Sequence, residues 1–227
     1  MGKDDFFKKK KAKLQERKGA YRLPNPNSFL IVSEGTKTEP LYFDGLASYI
    51  NNKYSKNGNI QNPIIVTKGE GKCTVSLVNE ASKIASLSHI IYEQVWIIFD
   101  KDDFNDFDEA ITLAENHGFK VAWSNQSFEY WIYLHFHYSD SALHRSAWAE
   151  KLNKLFKERG ISSDGYEKNN PNIFEISTTR GSLKSAINYA KKVEVSHNNV
   201  APPSLCDPCT KVHHLILALK PFLDELL

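Results

Sequence analysis

The chain has 227 residues, 41% apolar and 12% aromatic, enough for one large folded body with a sizeable core. Its cysteines are Cys73, Cys206 and Cys209, an odd, low count that argues against a disulfide framework and suits a reducing cytoplasm. No apolar run approaches the ~18 residues of a membrane span, and the amino-terminal stretch lacks the apolar segment of a secretory signal.

The formal net charge is +2, unevenly spread. Residues 1–22 carry nine Lys/Arg against Asp4, Asp5 and Glu16, a net of +6, so the remainder holds −4. A basic arm on a slightly acidic body suggests contact with a polyanion, most simply DNA or RNA; a solvated terminus explains the charge equally well.

Residues 22–28, "RLPNPNS", read as a Pro/Asn linker that completes an arm over 1–27. "FLIVSEG" (29–35) is a buried strand running into a turn. Thr38 reads as the cap of a helix to about Ile50, with Pro40 in its first turn. Residues 52–59 read as loop, "PIIVT" (63–67) as a strand, "KGEGK" (68–72) as a loop without P-loop spacing, and Thr74–Ser86 as a helix. "VWIIF" (95–99) is the third strand. Asp106 and Glu109 resemble a capping box for a helix ending at Gly118. "FKVAW" (119–123) is the fourth strand, and residues 127–136 form a buried helix with Phe128, Trp131, Ile132 and His135 on one face. Further amphipathic helices are expected over 145–159, 182–195 and 210–226, the last capped by Thr210.

Strand and helix alternate four times, which predicts a parallel sheet flanked by helices over 28–140. Residues 141–227 form a helical C-terminal subdomain packed on this core. Functional residues of such sheets sit at the carboxyl ends of the strands. Glu34 ends the first strand and Asp100 the third. In an extended segment Asp100 and Asp102 point the same way, while Lys101 points elsewhere. Three oxygen donors, Glu34, Asp100 and Asp102, suit Mg2+ or Mn2+ and phosphodiester chemistry. Asp103 reads either as a further ligand or as an ordinary turn residue.

"IVSEGTKTEPLYFDGL", "VWIIFDKDD", "SNQSFEYWIYLHF", "YEKN" and "DPCTKVHHL" together resemble the RloB-like proteins of bacterial and archaeal defence loci, over about residues 28–219. The strand-end Glu-Gly and Asp-x-Asp look like a TOPRIM site, as in topoisomerases, primases and OLD-family nucleases. The resemblance implies that Glu34, Asp100 and Asp102 hold Mg2+, with Glu39 as a looser match to a second acidic position. It also implies a toxin component of an abortive-infection system, with an AAA or ABC-type ATPase encoded nearby. The family's last motif usually reads Asn-Pro-Ser-Thr; here it is Asp207-Pro208-Cys209-Thr210.

Several other residues draw notice. Glu129 lies in an aromatic segment, where a carboxylate needs a cation or a basic partner. Lys168 and Arg180 are candidate partners or phosphate contacts, and Lys37 is a further supporting cation beside the Glu-Gly turn. His213 could face the cleft as a base or phosphate contact. Cys206-x-x-Cys209 with His213 and His214 could hold zinc, although an ordinary turn and cap accounts for them as well. The expectation is therefore a cytoplasmic, Mg2+-dependent nuclease acting on DNA or RNA, tRNA included, and able to form a homo-oligomer. The rivals are a non-catalytic nucleic-acid-binding or regulatory subunit and a primase-like polymerase.

Overall fold

The computed structural model describes residues 23–55, 63–103, 105–197 and 202–227. The basic arm over 1–22 lies outside the described residues. Four parallel strands form the central sheet: β1 (Asn25–Ser33), β2 (Ile64–Gly69), β3 (Tyr92–Ile98) and β5 (Lys120–Val121), in the order β2-β1-β3-β5. A smaller sheet joins β4 (Asp100–Lys101), β6 (Ser124–Asn125) and β7 (Cys209–Thr210), with β6 parallel to β4 and antiparallel to β7.

The apolar strands feed two cores because successive side chains leave opposite faces. Phe29, Ile31, Trp96 and Ile98 enter the larger core, and Leu30, Val32, Val95 and Ile97 enter the smaller. Helices α2 (Thr74–Leu87) and α3 (Phe107–Asn116) cover the smaller core through Leu77, Val78, Phe107 and Ile111. Helix α1 (Thr38–Ser55) lies on the other face with α4 (Phe128–Leu134), α5 (Arg145–Glu158), α6 (Ile173–Thr179), α7 (Leu183–Ser196) and α8 (Val212–Ala218). This is the α/β architecture that the alternation predicts, including its helical C-terminal part. Among the described residues, no helix is long and apolar enough to cross a membrane.

Several element readings change. Strand β1 begins at Asn25, inside the expected linker, because Asn25 N–H bonds Ile91 O at 2.8 Å and Asn27 N–H bonds the Glu93 carboxylate at 2.6 Å. Helix α1 runs to Ser55 rather than Ile50. The fourth strand, expected over 119–123, is shorter: Lys120–Val121 joins the main sheet, and Ser124–Asn125, beyond the expected strand, pairs in the small one. Asp106 makes no side-chain cap; it accepts instead from Thr74 Oγ1 at 2.7 Å, tying α3 to α2. The helix expected over 210–226 stops at Ala218, and Pro221 falls in a following 3-10 turn, having no N–H to continue the helix. Helix α6 is an element the periodicity did not reveal; seven residues are too few for a helical pattern to stand out.

Candidate metal centre

Strands β1 and β3 run side by side to a common end, Ser33 opposite Ile98. Glu34 N–H then bonds Ile98 O at 2.8 Å, carrying the pairing one residue further. Beyond it, Asp100 N–H donates to Glu34 Oε2 at 3.3 Å, so the two acidic side chains share one corner. Asp100 is held from the opposite side as well. Phe128 N–H, at the start of α4, donates to Asp100 Oδ2 at 2.9 Å. Asp100 Oδ1 is buried and has no hydrogen-bond partner among the described residues.

Five carboxylates, those of Glu34, Glu39, Asp100, Asp102 and Glu129, line a cavity of about 510 Å³ here. Glu39 arrives from the first turn of α1, where Gly35 leaves room for it: a Cβ on Gly35 would stand 2.0 Å from Glu39 Oε2. Burial pushes the Glu34 carboxyl up to about 7, against the Asp100 N–H; Asp102, Glu39 and Asp106 add repulsion. Burial likewise raises Glu39 to about 7, with Glu129 reinforcing it and Lys168 opposing. Burial, then the charges of Glu39 and Glu129, hold Asp100 well above the usual carboxylate range.

Glu129 is 3% exposed and meets two partners from the connection between α5 and α6. Tyr166 O–H donates to its Oε1 at 3.1 Å, and Lys168 Nζ stands 3.1 Å from the same oxygen. Thr38 Oγ1 donates to Lys168 O at 3.0 Å, so this hydroxyl secures the connection rather than capping α1.

The other candidates fall in different places. Lys37 and Lys168 line the cavity. Asp103, a candidate ligand, is exposed and lies outside the cavity lining; Arg145 Nη2 donates to it at 2.9 Å. Arg180 lies outside the cavity lining; its Nη2 donates to Arg159 O at 3.0 Å. His213 also lies outside it, buried against Glu194. Asp207-Pro208-Cys209-Thr210 lies behind the site: Thr210 and Ser124 hydroxyls meet at 3.0 Å, and Gln126 Nε2 donates to Asp207 Oδ2 at 3.1 Å. Burial pushes the Cys209 thiol up to about 12, which leaves it protonated and inert.

Sequence reasoning did not find His144, Arg145, Gln126 and Ser127, which also line the cavity. The only local signal was the start of a helix at 145, and helical periodicity does not show what its first turn faces. Gln126 has φ 116, a conformation rarely adopted by L side chains, at the bend that delivers Ser127 and α4 to the site.

The donor set fits a hard divalent cation. It is all oxygen, its carboxylates repel one another, and it contains a buried carboxylate oxygen with no partner among the described residues. The carboxylates are not drawn into a closed cage. Among the described residues, the group of three His, Cys, Asp or Glu ligand atoms within 4.8 Å of one another is Glu194, His213 and His214 instead. Looser spacing suits Mg2+, which keeps several waters and binds through one or two carboxylates plus substrate phosphates.

No curated protein and no solved structure matched the chain. The family model described as RloB-like protein matches residues 29–219, from the first apolar residues of β1 through the whole acidic corner to the end of α8, and the chain therefore belongs to the RloB-like family.

Proposed function

We propose that the chain is a Mg2+-dependent nuclease, the effector of an antiphage abortive-infection system, with a TOPRIM-like acidic site. One observation carries the reading: Glu34 and Asp100, at neighbouring parallel strand ends, share a cavity with Asp102, Glu39 and Glu129, and Asp100 Oδ1 lies buried without a partner among the described residues. Glu34, Asp100 and Asp102 would hold the cation, with Glu39 beside them. Bound there, Mg2+ or Mn2+ would supply an activated water and stabilise the leaving oxygen. The chain's own contribution is positioning. The Phe128 N–H fixes Asp100, and the Asp100 N–H fixes Glu34. Lys37, Lys168 and Arg145 line the same cavity and offer cations to phosphate oxygens of DNA or RNA. A neighbouring AAA or ABC-type ATPase is the natural trigger for such an effector.

One observation favours a second reading, a non-catalytic regulatory or nucleic-acid-binding subunit. The site already has internal neutralisation, through Lys168 on Glu129 and through the raised Glu34 and Glu39 carboxyls. The test incubates the full chain with plasmid DNA, total RNA and tRNA in Mg2+, Mn2+ or EDTA, with and without the ATPase. Cleavage is expected with either metal and not with EDTA. Asp100→Asn and Glu34→Gln should stay folded and lose at least about a hundredfold in rate. Wild-type cleavage by Asp100→Asn, or binding without cleavage under every condition, would establish the second reading.

A further inference from the structure

Glu194, near the end of α7, and His213 and His214, in the first turn of α8, meet away from the acidic cavity and share no lining residue with it. His213 Nε2 stands 2.8 Å from Glu194 Oε2, and His214 Nε2 stands 3.0 Å from the same oxygen. Lys211 Nζ takes the other oxygen, Oε1. His213 Nδ1 faces Thr210 O at 3.1 Å.

The His213 contacts pose a proton-counting problem. Both ring nitrogens face oxygen acceptors, but a neutral imidazole has one N–H. One contact therefore sets lone pair against lone pair unless the ring gains a second proton or a cation stands in the gap. A second proton is unfavourable, because the ring is 1% exposed and a protonated imidazole there would be desolvated. A cation is favourable. With its N–H on Thr210 O, His213 turns a free Nε2 lone pair towards Glu194, the arrangement in which a metal-binding histidine anchors its other nitrogen on a backbone carbonyl.

We propose that Glu194 Oε2, His213 Nε2 and His214 Nε2 bind a divalent transition-metal ion of the zinc class. The three ligand atoms lie within 4.8 Å of one another. Tetrahedral Zn2+ with bonds of about 2.0–2.1 Å places its ligands about 3.3 Å apart, so the two short contacts need to open by only about half an ångström. Two imidazoles and one carboxylate are a zinc donor set, and imidazole discriminates against Mg2+. The His214 side chain is 47% exposed, which gives the ion a route from solvent and leaves a fourth position for water. The cysteines take no part: Cys209 lies in the smaller core, and Cys206 Sγ contacts Pro202 O at 3.7 Å. The ion would pin α8 to α7 across the connection between residues 197 and 212.

The test uses the full chain, stripped with chelator and titrated with Zn2+, then with Co2+ as a spectroscopic probe. In excess Mg2+, added to fill the acidic cavity, one Zn2+ per chain should bind and raise the melting temperature. Co2+ should give the intense visible bands of a tetrahedral site. His214→Ala, at a half-exposed position that does not threaten folding, should weaken Zn2+ at least about tenfold and abolish those bands. Glu194→Gln should do the same, while Asp100→Asn and the Cys206→Ser, Cys209→Ser double variant should bind as wild type. The proposal is overturned if Zn2+ does not bind stoichiometrically. It is also overturned if binding survives His214→Ala and Glu194→Gln, or disappears with Asp100→Asn or with the cysteines.

Discussion

Asp100 is both a cap and a concentrated charge, and the two roles pull against each other. Its Oδ2 accepts from Phe128 N–H, while burial, and then the charges of Glu39, Glu129 and Glu34, oppose its ionisation. Glu34 is the neighbour in which this conflict is easiest to measure, since its folded value of about 7 stands above its ordinary 4.5. A carboxyl raised on folding binds more protons in the native than in the unfolded state between those values. Its stabilising contribution is full below about 4.5 and is lost as the pH rises through about 7. His135 and His213, both lowered to about 4 by burial, act oppositely between about 4 and 6.5, so the wild-type curve alone is ambiguous. The comparison with Glu34→Gln isolates the carboxyl. In EDTA, the variant should gain melting temperature relative to wild type steadily from pH 4.5 to pH 7.5, and added Mg2+ should reverse the order at pH 7.5. A difference that does not change with pH would show that Glu34 is not strained.

At the scale of elements, the connection between α5 and α6 acts as a strap over Glu129. Tyr166 and Lys168 reach one carboxylate oxygen, and Thr38 anchors the backbone of Lys168. Lys168→Met leaves a carboxylate that is 3% exposed with one neutral donor. The cost should be about 1–2 kcal/mol, below the 3–5 of a fully buried pair, because the Lys168 side chain is 62% exposed and partly screened. Adding Glu129→Gln should recover most of it, as a double-mutant cycle in urea would measure. Additive losses would show that the pair is decorative. The strap also shows where sequence reading stops. "WIIF" followed by Asp100 was legible, since an apolar strand ending in carboxylates marks a sheet edge. Glu129 was legible as a carboxylate needing a cation or a basic partner, and of the two candidate partners Lys168 meets it while Arg180 does not. Arg145 was not legible, because its place in the cavity lining depends on where α5 docks, and its pairing with Asp103, 42 residues away, is absent from local periodicity. The short fourth strand had the same cause: pairing of Ser124–Asn125 with β4 and β7, not propensity, decides where the chain leaves the main sheet.

Across the whole molecule the two faces of the sheet are unequal, and the larger core draws on both halves of the chain. Phe29, Tyr42 and Trp131 from the α/β half pack with Trp148, Leu152, Phe156, Leu183, Leu215 and Ile216 from the helical half. Those six C-terminal side chains together contribute about 9–18 kcal/mol at about 1.5–3 each, comparable to the ~5–15 kcal/mol that holds a domain folded. A chain cut after residue 140 should therefore lack a cooperative transition and expose the apolar faces of α1 and α4 to dye. The full chain should melt once, with far- and near-ultraviolet dichroism coincident. The same cut removes Arg145 and Lys168 from the acidic cavity. A fragment of residues 1–140 with its own sharp melt would mean that the α/β half folds alone and that the helical half is added mainly to shape the site. Without that melt, one cooperative unit builds both the core and the cavity walls, and a substitution deep in α5 or α7 should loosen the acidic site as it lowers the melting temperature.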